Sequence, residues 1–118
     1  MISPQQALKI LDKRPAKGLG QHFLIHQATA DKIAAAIHAE PDDLVVEIGA
    51  GLGALTLPLS KSGAQVIAVE IDPELATFLL AEFQERRGIK GVKIECQDIL
   101  KMDLSALHDK FQRKLKVI

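Results

Sequence analysis

The chain has 118 residues, 47% hydrophobic and 25% charged, with fifteen basic side chains balanced by fifteen acidic ones. That suits one small globular core and argues against a strongly basic nucleic-acid binder, although charge distribution counts for more than the sum. A single cysteine, Cys96, excludes an internal disulfide, and no Cys/His cluster has metal-ligand spacing.

Ser3-Pro4 reads as a helix cap followed by proline at the first helical position, opening a short helix to about Lys13. Pro15 to Gly20 breaks regular structure. A second helix is expected over about Ala28 to Ala39, with Ile33, Ala34 and Ile37 at helical spacing. Leu44 to Ile48 is a short apolar run, hence a buried strand, followed by the tight loop Gly49-Ala50-Gly51-Leu52-Gly53. Ala54 to Lys61 should be helical, with Pro58 near its start or distorting it, and Gln65 to Glu70 forms a second strand. Asp72-Pro73 caps and starts a helix to about Arg87, closed by Gly88. Val92 to Cys96 is a third strand, with Cys96 expected in the core; Lys101 to Lys110 is a loop and helix, and Lys114 to Ile118 opens a fourth strand.

Strands alternating with helices indicate parallel βαβ units. Right-handed crossovers place the first strand centrally, the next two outward on one side and the fourth on the other. The expected class is therefore α/β with a mostly parallel sheet, incomplete at three to four strands. The chain reads as the front part of a longer domain, or as a minimal domain whose open edge a partner covers.

The glycine loop follows a buried strand and precedes a helix, where close backbone approach of a ligand is possible. Its spacing is one residue shorter than the dinucleotide fingerprint Gly-x-Gly-x-x-Gly. Three acids accompany it. Glu70 ends the second strand, where a carboxylate can accept both hydroxyls of a ribose and would repel a 2′-phosphate. Glu47 lies in the first strand and must be paired there, either to support the loop or to reach a ligand's ammonium group indirectly. Asp98 follows the third strand, placed either to accept from an adenine amine or to cap a loop.

Together the segments Lys17-Gly-Leu-Gly-Gln-His-Phe-Leu24, Val46-Glu-Ile-Gly-Ala-Gly-Leu-Gly-Ala-Leu-Thr56, Val69-Glu-Ile-Asp72 and Gln97-Asp98 resemble the rRNA adenine N6-dimethyltransferases, which include bacterial small-subunit enzymes and macrolide-resistance methyltransferases. The Gly-Gln-x-Phe-Leu stretch is the specific signal; the family's usual Asn is here His22. The resemblance implies a Rossmann-like methyltransferase fold. It also implies S-adenosylmethionine as cofactor, held at His22, Leu24, Gly49, Glu70 and Asp98, with Gln21 as a further contact. Residues 1–24 would then be an N-terminal helix and a segment contacting cofactor and RNA, and residues 25–118 the first part of the methyltransferase domain. The implied partner is the RNA of the small ribosomal subunit or its precursor.

The family's Asn-Leu/Ile-Pro-Tyr motif, which faces the target adenine, does not occur among these residues, so the expectation is cofactor binding with little catalysis and no catalytic residue. Alternatives are a methyltransferase for another substrate and a non-catalytic RNA-binding relative. Basic clusters at Lys9, Lys13, Arg14 and Lys17, and at Lys110, Arg113, Lys114 and Lys116, are either phosphate contacts or solvated faces. No apolar run approaches the ~20 residues of a membrane span, and the first residues lack a signal-peptide pattern. The expected location is the cytoplasm, with no metal and no membrane partner.

Overall fold

A computed structural model describes residues 26–118. The expected helix from Ser3 to Lys13, the Gly-Gln-x-Phe-Leu segment and the first basic cluster lie outside the described residues. The elements are α1 (Gln27–Ile37), β1 (Asp43–Ile48), α2 (Thr56–Ser60), β2 (Gln65–Glu70), α3 (Pro73–Leu80), a π-helical continuation (Ala81–Arg86), β3 (Val92–Cys96), a 3-10 turn (Ile99–Lys101), α4 (Leu104–Phe111) and β4 (Lys114–Val117).

The four strands form one parallel sheet in the order β3-β2-β1-β4. This is the order expected from the sequence, and right-handed crossovers are compatible with it. Side chains alternate across it. Val45, Val66, Ala68 and Val92 point into one core with Leu59, Leu79 and Phe83. Leu44, Val46, Ile67 and Val69 point to the other face, covered by Leu104, Leu107 and Phe111 of α4. Burial on both faces is why β1 and β2 read as largely apolar runs, interrupted in β1 by Glu47, and not as alternating ones.

Local chemistry explains the boundaries. α1 turns Ala30 and, partly buried, Ile33, Ala34 and Ile37 inward, and ends at His38 in the left-handed region (φ 53°). α2 is shorter than expected, because Leu55 precedes it as a helical cap and Pro58 occupies its third position, where a missing N–H costs nothing. Asp72 caps α3 by accepting from the Glu74 amide at 2.9 Å, with Pro73 at the first position. The expected single helix to Arg87 instead widens after Leu80 into a π-helical turn, with the Arg87 amide donating to Glu82 five residues back. Glu82 is buried there between Arg86 and Arg87, at 2.5 and 3.1 Å.

The C-terminal basic cluster is largely engaged in the fold. Lys116 donates to the Ile37 and His38 carbonyls (3.0 and 2.8 Å), closing the end of α1, and pairs with Asp43 at 3.1 Å. Arg113 donates to the Pro41 carbonyl at 3.0 Å. Lys110 lies over the ring of Phe111, 5.6 Å from its centroid. The Glu40 amide, and then Lys116, hold the Asp43 carboxyl below its usual range. All of this sits at the N-terminal edge of the sheet. Lys116→Met keeps the apolar stem and removes the charge. It should lower Tm and speed amide exchange at the end of α1, and leave ligand affinity at the opposite sheet edge unchanged; thermal unfolding, hydrogen exchange and titration check this.

Candidate functional site

The C-terminal edge of the sheet gathers three of the five residues expected to hold a ligand. Gly49 follows β1, Glu70 ends β2 and Asp98 follows β3. Glu70 is paired in register with Cys96, and its carbonyl accepts from the Gln97 amide at 3.2 Å, which places Asp98 beside it along the same edge. Cys96 is exposed at this edge and not in the core as expected; it is the last residue of β3, the outermost strand on its side of the sheet. His22 and Leu24 lie outside the described residues.

The loop glycines have separate tasks. Gly49 (φ 71°) is exposed, and a Cβ there would meet nothing within 4 Å. Its backbone is open to a ligand. Gly51 (φ 57°) is buried and donates its N–H to Glu70 Oε1 at 2.8 Å. Gly53 (φ 87°) packs on the far side: a Cβ would come within 2.5 Å of the Phe83 ring and 3.1 Å of Leu79. The π-helical turn is what carries Phe83 at this point, fully buried under the loop.

Glu70 is 2% exposed. Its Oε1 holds Gly51, and its Oε2 accepts from the Asp72 amide at 2.9 Å. One side chain thus joins the end of β2, the glycine loop and the cap of α3. Asp98 is half-buried and caps the 3-10 turn, with Oδ1 accepting from the Leu100 amide at 3.0 Å. That is the capping role weighed for it, and it leaves the second oxygen for other use.

Glu47 is buried on the same sheet face as Glu70, and its Oε1 accepts from the Thr56 hydroxyl at 2.5 Å. Burial pushes its carboxyl up to about 8; the Thr56 bond opposes this and the nearby Glu70 adds to it. Thr56, which is wholly buried, has no assigned role in the sequence reading. The available signal was its place just after an apolar loop containing no other partner for Glu47.

The sequence model of a family described as ribosomal RNA adenine dimethylase matches residues 13–118. Ribosomal RNA small subunit methyltransferase A of Dehalococcoides mccartyi (strain CBDB1) is 49% identical over 101 residues, which is 86% of this chain and 34% of that protein. The chain therefore spans about a third of the length of this curated relative. A dimethyladenosine transferase from Plasmodium falciparum superposes with a TM-score of 0.63 at 28% identity, over 70% of this chain and 30% of that one. Magnesium protoporphyrin IX methyltransferase from Synechocystis PCC 6803, solved with bound S-adenosylmethionine, gives 0.57 at 27% identity, over 66% of this chain and 39% of that one.

Two predictions follow from the loop and from Glu47. Gly53→Ala should destabilise the fold by about 2–4 kcal/mol, from left-handed strain plus overpacking against Phe83. Gly49→Ala should cost only about 1–2 kcal/mol, from the strain alone; denaturant unfolding of both variants compares them. For Glu47, the folded chain keeps a proton that the unfolded chain has lost between the ordinary 4.5 and about 8. Its contribution to stability therefore falls as pH rises through that window and is level above it. Glu47→Gln should remove that slope, as read from unfolding midpoints across pH.

Proposed function

Because the chain belongs to the ribosomal RNA adenine dimethylase family, we propose that it forms the cofactor-binding part of an S-adenosylmethionine-dependent enzyme that dimethylates adenine in small-subunit rRNA. The observation that carries this is Glu70. It is buried at the ligand edge of a parallel sheet and held in place by two backbone amides. Each carboxylate oxygen accepts about two hydrogen bonds, so Glu70 can fix the loop and still receive ribose hydroxyls.

The residues present fit such a ligand. The open side of Gly49 admits a ligand against the backbone. Asp98 has an oxygen beyond the one that caps its turn and would accept from the adenine amine. His22 and Leu24, with Gln21 beside them, would complete the contacts from residues 1–24, and residues 25–118 form the first part of the methyltransferase domain. When bound, the cofactor supplies an electrophilic methyl group on a sulfonium. The chain's contribution is to orient that ligand and to hold it away from water, so that proximity supplies rate.

Lys9, Lys13, Arg14 and Lys17 are the basic residues proposed to meet RNA phosphates. Arg113 and Lys116 have structural partners instead. The setting proposed for this activity is the cytoplasm. Adenine in RNA is a weak nucleophile, and its activation calls for acceptors on the amine and an aromatic ring on the extruded base. Neither Asn-Leu-Pro-Tyr nor Asn-Ile-Pro-Tyr occurs among the 118 residues, and these residues by themselves should bind without efficient turnover. Calorimetric titration should show binding of S-adenosylmethionine and S-adenosylhomocysteine but not NAD; binding of NAD alone would overturn the reading. Methyl incorporation into immature small-subunit RNA should stay at background, and turnover like that of a complete enzyme would refute the catalytic part.

A further inference from the structure

Two buried carboxyl groups, Glu47 and Glu70, share one face of the sheet on either side of the glycine loop, at 2% exposure each. Their hydrogen bonding is unequal. Glu70 accepts from two backbone amides. Glu47 accepts from the Thr56 hydroxyl as its one donor among the described residues. A buried carboxylate with a single neutral donor is poorly compensated, and a second carboxylate nearby compensates it less still.

The surrounding charges do not relieve Glu47. α2, which supplies Thr56, has no charged side chain between Thr56 and Ser60. On β2 the facing group is Glu70, and Asp72 caps α3 just beyond it. On β1 itself, Asp43 is taken by Lys116 of β4 and by the Glu40 amide at the other end of the strand. Lys114 of β4 pairs in register with Asp43 at that same end and is exposed. On α1, Asp31 accepts from Gln27, and Lys32 is exposed. β3 brings Cys96 to the ligand edge, with Glu95 paired to Lys93. Lys114 and Lys116 thus lie toward the N-terminal edge of the sheet, where Lys116 neutralises the buried Asp43, and the buried glutamates Glu47 and Glu70 lie toward the C-terminal edge.

We propose that Glu47 is the proton-exchanging counterion of the ligand site: it carries a proton while the site is empty and releases it to solvent when a cationic group of the ligand arrives. This rests on the reading of S-adenosylmethionine as the ligand. That molecule brings two cationic centres, a sulfonium and an ammonium; its demethylated product keeps only the ammonium. No bond other than O–H of Glu47 breaks, and the positive charge of the ligand replaces that of the proton. Thr56 is a positioning residue, holding the carboxyl in the orientation from which either charge state can be satisfied. Burial of the acid supports the same assignment, since the proton it holds in the folded chain survives to about 8.

The test is calorimetric titration of the 118-residue chain near neutral pH, in buffers of low and high ionisation enthalpy, with S-adenosylmethionine and then S-adenosylhomocysteine. Glu47→Gln is the comparison, because the amide mimics the protonated acid and corrects for the ligand's own ionisation. The wild-type chain should release about one proton more per ligand than Glu47→Gln. Its affinity should rise by up to about tenfold per pH unit below the midpoint of the acid, and that of Glu47→Gln should stay level. Release with both ligands supports the proposal with the ammonium as the sensed charge; release with S-adenosylmethionine alone supports it with the sulfonium. Binding with equal proton release in wild type and Glu47→Gln overturns the proposal and leaves the cofactor reading standing. Failure of the wild-type chain to bind either ligand overturns the cofactor reading, and the proposal with it.

Discussion

The Glu70 carboxylate is the constraint on which the C-terminal edge of the sheet depends. One oxygen holds the amide of Gly51 and the other holds the amide of Asp72. The first bond ties the glycine loop to β2; the second ties the cap of α3 to the same strand end. Without an acceptor at this position, two buried backbone donors would lose their partners, at the cost of unsatisfied amides in a low-dielectric site. The same acid is the one proposed to meet a ribose. Structural support and the proposed ligand contact therefore fall on one side chain, and a substitution at Glu70 would confound the two. Glu47 and the loop glycines separate them better.

The sheet has opposite electrostatic characters at its two ends. At the N-terminal edge, Lys116 and Arg113 neutralise Asp43 and the exposed carbonyls where α1 gives way to β1. These bonds join residues more than seventy positions apart and close the sheet between its central strand and β4. At the C-terminal edge, Glu47 and Glu70 are buried with backbone amides and one hydroxyl as donors. Asp98 stands near them, half-buried. Acids placed this way favour a ligand that brings hydroxyl and amine donors or positive charge, and disfavour a phosphate beside them.

The loop also depends on packing beneath it. Gly53 has no Cβ because the Phe83 ring occupies that space. Phe83 reaches it from the π-helical turn after α3, where the buried Glu82 is compensated by Arg86 and Arg87. A π-helical turn shifts the side chains that follow it around the helix axis. The wide turn and the tight loop are two halves of one contact, and together they leave the Gly49 side of the loop clear.

Much of this was legible in the sequence. Short, largely apolar runs identify β1 and β2, Asp72-Pro73 marks the start of α3, and alternation of strand and helix points to the parallel sheet, whose observed order β3-β2-β1-β4 matches the expected one. Such signals are local, or follow from chain handedness. The family follows from short motifs within the sequence, one of them with His22 in place of the usual Asn, and so does the edge to which Gly49, Glu70 and Asp98 belong. Tertiary structure alone decided the rest. It put Cys96 at an open edge, paired Glu47 with Thr56, turned Lys116 and Arg113 inward as clasps, and widened α3 over Gly53. The physical reason is common to all of these. A charge or hydroxyl has the same sequence signature whether it faces water or a partner, and its role is set by which distant group the fold brings within hydrogen-bond reach.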